Sequence, residues 1–265
     1  MGMFIRTHIG RGFKIFRFWR ENGIESKIQR MCGRYRLKDP KAAFDWLEVV
    51  PSFEVRPRFN IAPTQHVPVV TAAHQVELMQ WGIVPAWGAE TSKALINARS
   101  ESVREKRSFK SSFTQRRCLV PADGFYEWTK VGKRPYFFTV GGGAPFAIAG
   151  IWDKGKDLAR CCLLTTAGNS VLEPIHNRMP VIVRREDWEE WMVPGELEDL
   201  SFQRITTPYA AAEMSALEVS SLVNSGRVDD ARCCEPADSV PIDPPPLKVT
   251  RKPMVKPDDQ QMFGF

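Results

Sequence analysis

No apolar run in the 265 residues approaches the roughly 20 that a membrane-spanning helix needs. No apolar segment ahead of a small-residue cleavage site marks a secretory signal either. Histidine is scarce, with four in the chain, and the six cysteines come without CxxC or HxxxH spacing. Two pairs, Cys161-Cys162 and Cys233-Cys234, are adjacent and so poorly placed to chelate one ion. No metal and no cofactor is therefore expected, and the thiols read as free and buried, as in a reducing cytoplasm. Net charge is scarce too, once it is located. Of the total of +6, residues 1–30 account for +5, with seven basic side chains against Glu21 and Glu25, which leaves about +1 for residues 31–265. Bulk charge does not make the body of the chain a nucleic-acid binder; such binding needs a local patch.

What is present is one globular stretch between two unusual ends. Residues 1–30 are basic and aromatic, with charges breaking every apolar stretch. They fit an amphipathic targeting segment, or an over-extended start in which Met31 is the true initiator; the second is favoured. Residues 31–235 are read as one domain, and residues 236–265, rich in proline and charge, as a disordered tail. Helical spacing marks residues 41–50, 98–107 and 186–203. Short apolar or alternating runs at 66–71, 75–81, 118–121, 124–128, 135–140, 145–151, 160–166 and 180–183 read as strands. The expected fold is α+β, a curved antiparallel sheet or open barrel with a few flanking helices, acting as a monomer.

Four segments set reactive or hydrogen-bonding side chains among aromatics, glycine or proline. The first is Met31-Cys32-Gly33-Arg34-Tyr35. If translation starts at Met31 and that residue is removed, Cys32 gains a free amine beside its thiol. An aldehyde then meets an imine-forming nitrogen and a ring-closing sulfur, with ordinary pKa values of about 8 and 8.5. Gly33 allows close approach to the backbone. The plain alternative is a buried structural thiol. The second segment, Phe125-Tyr126-Glu127-Trp128, alternates, placing Phe125 and Glu127 on one face and Tyr126 and Trp128 on the other. A carboxylate crowded by rings suits a general acid or base; the alternative is an exposed glutamate paired with Lys130 or Lys133. In the third, His176-Asn177-Arg178-Met179-Pro180, proline stiffens the loop that holds a proton-shuttling histidine, or merely a satisfied one. In the fourth, Asn97 and Arg99 face the same way, an amide to orient a sugar and an arginine to clamp phosphate. Arg34 and Arg178 are offered for the same phosphate role. Trp81 and Trp87, in WGIVPAWG, are candidates to stack on bases, worth about 1–3 kcal/mol per base, or to fill the core.

Taken in order, MCGR, N-x-A-P (Asn60 to Pro63), WG-x-x-P-x-W (Trp81 to Trp87), INARSE (Ile96 to Glu101), ADGFYEW (Ala122 to Trp128), H-x-R-M-P and V-S-x-x-V-N (Val219 to Asn224) resemble the SOS-response-associated peptidase (SRAP) family over about residues 31–225. The resemblance implies a covalent thiazolidine between an N-terminal cysteine and the ring-opened sugar of an abasic site, in single-stranded DNA for preference. By that resemblance Cys32 is the nucleophile and Asn97 holds the cysteine and the sugar. Glu127 is the acid/base, His176 assists proton transfer, and Arg34, Arg99 and Arg178 bind flanking phosphates. The family name adds removal of its own leading residue.

Two departures stand out. Thirty residues precede the cysteine, and an internal Cys32, with an amide nitrogen, cannot form the imine. Leu217 stands where members often carry a histidine. Other readings of the same residues are an autoprocessing cysteine peptidase and a reversible single-stranded DNA-binding module. The final QQMFGF faintly resembles peptides that dock on sliding clamps.

Overall fold

The computed structural model describes residues 33–85, 94–155 and 157–239. The basic segment 1–30 and the clamp-like QQMFGF lie outside the described residues.

The fold is built from two sheets. In the barrel, β3 (His66–Thr71), β4 (Val76–Trp81), β6 (Arg117–Ala122), β9 (Phe146–Asp153) and β10 (Arg160–Ala167) form a ring. Antiparallel pairing runs β4–β3–β6–β9–β10, and β10 then closes on β4 in parallel, Arg160 opposite Gln80. The barrel-like core expected from the sequence is therefore present, and closed rather than open. β5 (Asn97–Arg99) adds to β10 in parallel, while β11 (Arg178–Pro180) and β12 (Ile182–Val183) add antiparallel to β10 and β9. The second sheet is antiparallel throughout. It combines β1 (Arg34–Leu37), β2 (Arg58–Ile61), β7 (Gly124–Trp128), β8 (Pro135–Val140) and β13 (Met214–Glu218) in the order β13-β8-β7-β1-β2.

Alternation along the strands divides the interior into two large cores and a small third one around Tyr126 and Phe137. One core gathers Tyr35, Leu37, Met79, Trp81, Cys118, Phe125, Phe138 and Cys161 between the sheets. The other joins Leu119, Ala149, Cys162 and Leu164 to Phe113, Trp188 and Trp191 from the covering helices. The neighbours Cys161 and Cys162 thus point to opposite sides of β10, each fully buried. Burial pushes the Cys161 thiol up to about 12 and Cys162 upward as well, so both stay protonated. Among the described residues, no group of three or more His, Cys, Asp or Glu could hold a metal ion, and no helix is long and apolar enough to cross a membrane.

The helices are shorter than their periodicity suggests. α1 (Pro40–Trp46) starts on Asp39, whose carboxylate accepts from the Ala42 N–H at 3.0 Å, and ends before Glu48 at φ 57°. The stretch 98–107 begins as β5 and turns helical only in α2 (Ser100–Val103). The stretch 186–203 is broken at Val193-Pro194-Gly195 into α4 (Trp188–Met192) and α5 (Asp199–Thr206), because proline cannot continue the ladder and Gly195 takes φ 109°. Between these sets lies α3 (Lys110–Gln115), which along with β2 and β13 is too polar or too short to register as a period.

Candidate active site

Glu127 lies on β7, and the strand pairings fix what surrounds it. Alternation is as the sequence predicts. Phe125 stacks on Phe138 at 5.1 Å in the core between the sheets, whereas Tyr126 tilts against Phe137 at 4.8 Å on the other face. Glu127 shares the Phe125 face and is 1% exposed, so it is not a surface carboxylate paired to Lys130 or Lys133. β1 lies antiparallel to β7 with Arg34 opposite Tyr126 and Tyr35 opposite Phe125. One step further along that register stand Gly33 and Glu127. Gly33 is buried, and a Cβ built on it meets none of the described residues within 4 Å.

His176 is brought to Glu127 from the opposite side. Its Nδ1 is 3.9 Å from Glu127 Oε1, and the imidazole is 3% exposed. Nδ1 lies 3.2 Å from the Arg178 N–H and 3.3 Å from the Arg178 carbonyl, so the backbone serves either tautomer. Nε2 is buried with no hydrogen-bond partner among the described residues. Burial, and then the charges of Lys130, Lys133 and Arg178, outweigh the Arg178 backbone contact and lower the histidine below its usual 6.5. The imidazole is thus neutral at pH 7 and able to exchange protons.

The loop holding His176 depends on two residues that the sequence had not singled out. Gly168 packs so close that a Cβ there would stand 2.9 Å from the His176 carbonyl. The Asn169 side-chain oxygen accepts from Val171 and Leu172 N–H at 3.1 and 3.2 Å, and its amide donates to the Tyr209 carbonyl at 2.7 Å. The Gly-Asn dipeptide was the available signal.

The other candidates are held by different elements. Asn97, half-buried on β5, is opposite Leu163 of β10, and Arg99, two residues on, is exposed. Arg178 is not an open phosphate clamp. It is buried and crosses Thr165 of β10, donating to its carbonyl at 2.5 Å, and pairs with both oxygens of Glu101 on α2. Arg34 is half-buried, donates to the Gly33 carbonyl at 2.9 Å and lies beside Gly226. Alternation puts it on the Tyr126 face, opposite to Glu127. Trp81 corrects an expectation outright. It is 0% exposed, its ring is edge-on to Tyr35 at 5.5 Å and its N–H donates to the Ile96 carbonyl at 2.9 Å, leaving no face for a base. Cys32 and Trp87 lie outside the described residues.

Several motif residues turn out to be scaffold. Asn60 reaches the carbonyls of Val223, Ser225 and Val228 at 3.2, 3.0 and 2.8 Å, tying N-x-A-P to the end of V-S-x-x-V-N. Asn224 accepts from the Trp128 indole at 2.6 Å. Asp123 takes Arg36 at 2.5 Å and the Lys38 N–H at 2.6 Å. Gly124 is required by Phe137, whose ring would be 2.1 Å from an added Cβ. Leu217 pairs with Phe137 on the face away from Glu127, lining a cavity of about 320 Å³ with Arg36, Lys38 and Cys234.

The SOS response associated peptidase (SRAP) family profile matches residues 31–226 of this chain. The chain belongs to that family. Among its relatives, abasic site processing protein YoqW of Bacillus subtilis is 35% identical over 212 residues, which is 74% of this chain and 95% of the relative. Abasic site processing protein HMCES of Gallus gallus is 26% identical over 255 residues, 80% of this chain and 74% of HMCES. A crystal structure of a Bacteroides thetaiotaomicron protein superimposes with a TM-score of 0.68, covering 78% of this chain and all of that one. At 22% identity it speaks for the fold.

Proposed function

We propose that this SRAP protein acts on abasic sites in DNA, capturing the lesion through Cys32 once that residue carries a free amine. The observation that carries the proposal is the buried Glu127–His176 pair, 3.9 Å apart, with Glu127 on the strand that neighbours β1. Relatives at about one-third identity are named abasic site processing proteins, and the family match begins at residue 31, next to the cysteine.

The chemistry balances without an added reagent. An abasic deoxyribose opens to an aldehyde; proton transfer between the ring oxygen and C1′ hydroxyl needs an acid and a base, the role given to Glu127. The Cys32 amine adds to the aldehyde carbon, and the carbinolamine loses water with the proton that Glu127 took up in the preceding step. The Cys32 thiolate then adds to the imine carbon and the nitrogen regains a proton. One aldehyde and one aminothiol give a thiazolidine and one water. His176, kept neutral by burial, carries the proton back when the ring reopens. Asn97 orients the sugar and the cysteine, and exposed Arg99 receives a flanking phosphate. Arg178 acts as a brace, tying Glu101 to the Thr165 carbonyl. Cys32 has to carry a free amine first, by initiation at Met31 and loss of that residue or by cleavage before Cys32, because an amide nitrogen cannot form the imine.

The test mixes protein beginning at Met31 with single-stranded DNA bearing one abasic site and resolves the products under denaturing conditions. A denaturation-resistant band that requires the lesion and is lost in Cys32→Ala is the expected result. No band from folded protein with a verified free Cys32 removes covalent capture. Cleavage of peptides by that protein would favour the peptidase, and reversible binding indifferent to Cys32→Ser the binding module.

A further inference from the structure

The β7–β8 hairpin carries a feature that the proposed chemistry does not use. β7 runs past Glu127 and Trp128 into Thr129-Lys130-Val131-Gly132-Lys133-Arg134 before β8 returns. The tip is tightly closed. The Thr129 N–H donates to the Arg134 carbonyl at 3.0 Å, the Thr129 hydroxyl donates to the Val131 carbonyl at 2.6 Å, and the same hydroxyl oxygen accepts from the Arg134 N–H at 3.0 Å. Gly132 and Lys133 take φ 77° and 52°, a turn for which glycine supplies the freedom.

This rigid tip presents an unusual surface. Val131 is 86% exposed. Lys130 and Lys133 are exposed and in no ion pair among the described residues, whereas Arg134 is held by Glu218 at 2.9 Å. Both lysines are near enough to His176 to contribute to its lowered pKa. The two lysines flank an apolar tip three to six residues beyond the buried Glu127 carboxylate, and neither is in an ion pair among the described residues. With the body of the chain near neutral, they form the local patch that nucleic-acid binding requires.

We propose that the β7–β8 hairpin is a DNA-gripping finger, Lys130 and Lys133 each neutralising a phosphate of the strand that carries the lesion and Val131 packing against a base next to it. The inference rests on the proposed abasic-site function and names the surface that places the strand over Glu127. Apolar side chains inserted at a base step disrupt stacking, and flanking cations fix the register without reading sequence.

The experiment uses Met31-start protein and a lesion-bearing single strand across a salt series. Reversible affinity is measured by anisotropy in the Cys32→Ala background and adduct formation in the Cys32 protein. The double variant Lys130→Gln/Lys133→Gln should flatten the log–log salt slope of affinity by about 1.4, at about 0.7 per phosphate for single strands. It should also slow adduct formation at low salt by roughly tenfold while retaining the rate at saturating DNA. Val131→Ser should weaken affinity with the slope intact, and Lys41→Gln, remote and paired to Asp45, should change neither. Unchanged slope and affinity in the folded double variant would overturn the finger. Anisotropy judges it even if no adduct forms, an outcome that removes the capture chemistry alone.

Discussion

Two buried charged clusters in this molecule look alike by burial and differ in how they are satisfied. Arg117, 1% exposed on β6, is in no ion pair among the described residues, yet donates to the carbonyls of Trp191 at 2.6 Å, Phe113 at 2.8 Å, Gly195 at 3.0 Å and Val193. Its pKa is lowered by burial but it remains charged. Those carbonyls include the frayed end of α4 and the Pro194-Gly195 break, so one guanidinium closes what the helix could not. The Glu127–His176 cluster is as deeply buried, but in it His176 Nε2 has no hydrogen-bond partner among the described residues. A buried polar group that has used its hydrogen-bonding capacity is structural. One that keeps capacity in reserve is paid for by the rest of the fold and is the better candidate for chemistry.

The comparison breaks most sharply at Glu127. Glu127→Gln, close in shape, should cut the rate of adduct formation by about 10²- to 10⁴-fold while leaving the melting temperature within a few degrees, measured by single-turnover gel kinetics and calorimetry. Comparable loss of stability and rate would place Glu127 among the scaffold residues instead. Arg117→Met should do the reverse. Several carbonyls lose their donor, which costs about 3 kcal/mol and lowers the melting temperature by roughly 10 °C. The adduct rate measured well below that temperature should hold.

A smaller effect sharpens the comparison at Gly168. A Cβ there pushes on the His176 carbonyl, so Gly168→Ala should slow adduct reversal by about tenfold, with adduct formation affected less. Equal rates would show that the loop yields without moving the imidazole.

The pH dependence is smaller still and its sign follows from linkage. The unfolded chain takes up a proton at His176 near pH 6.5, but the native state resists it. The unfolded state then binds more protons, so the stability associated with neutral His176 is complete above about pH 6.5 and declines as pH falls toward its lower native value. His176→Gln should flatten that acid limb in denaturant titrations at pH 7.5 and 5.5. An identical limb in both proteins would assign it to other groups.

How much of this was legible beforehand depends on range. The alternation of Phe125-Tyr126-Glu127-Trp128 is local, since each strand residue's face follows from its neighbours, and it held. Helix ends were less legible. The break at Pro194-Gly195 is written in the sequence, but the periodicity on either side ran straight across it. Trp81 stays ambiguous in the sequence because a tryptophan in a motif is equally suited to stacking on a base or on Tyr35, and only the pairing of β4 with β10 puts it inside. Arg178 was taken for a free cation because Glu101, its partner, is 77 residues away.

The sequence by itself determined the family, the order of the motifs, the short-strand character of the core and the residue types available for chemistry. These depend on side-chain identity and near-neighbour spacing. Only the tertiary structure decided the closure of the barrel, the meeting of Glu127 with His176 and the commitment of Arg178 to Glu101. It also decided the burial of Trp81 and the isolation of Lys130 and Lys133 on their hairpin. Each of these is a contact, or a missing contact, between residues far apart in the chain, fixed by strand register and by which buried groups found partners.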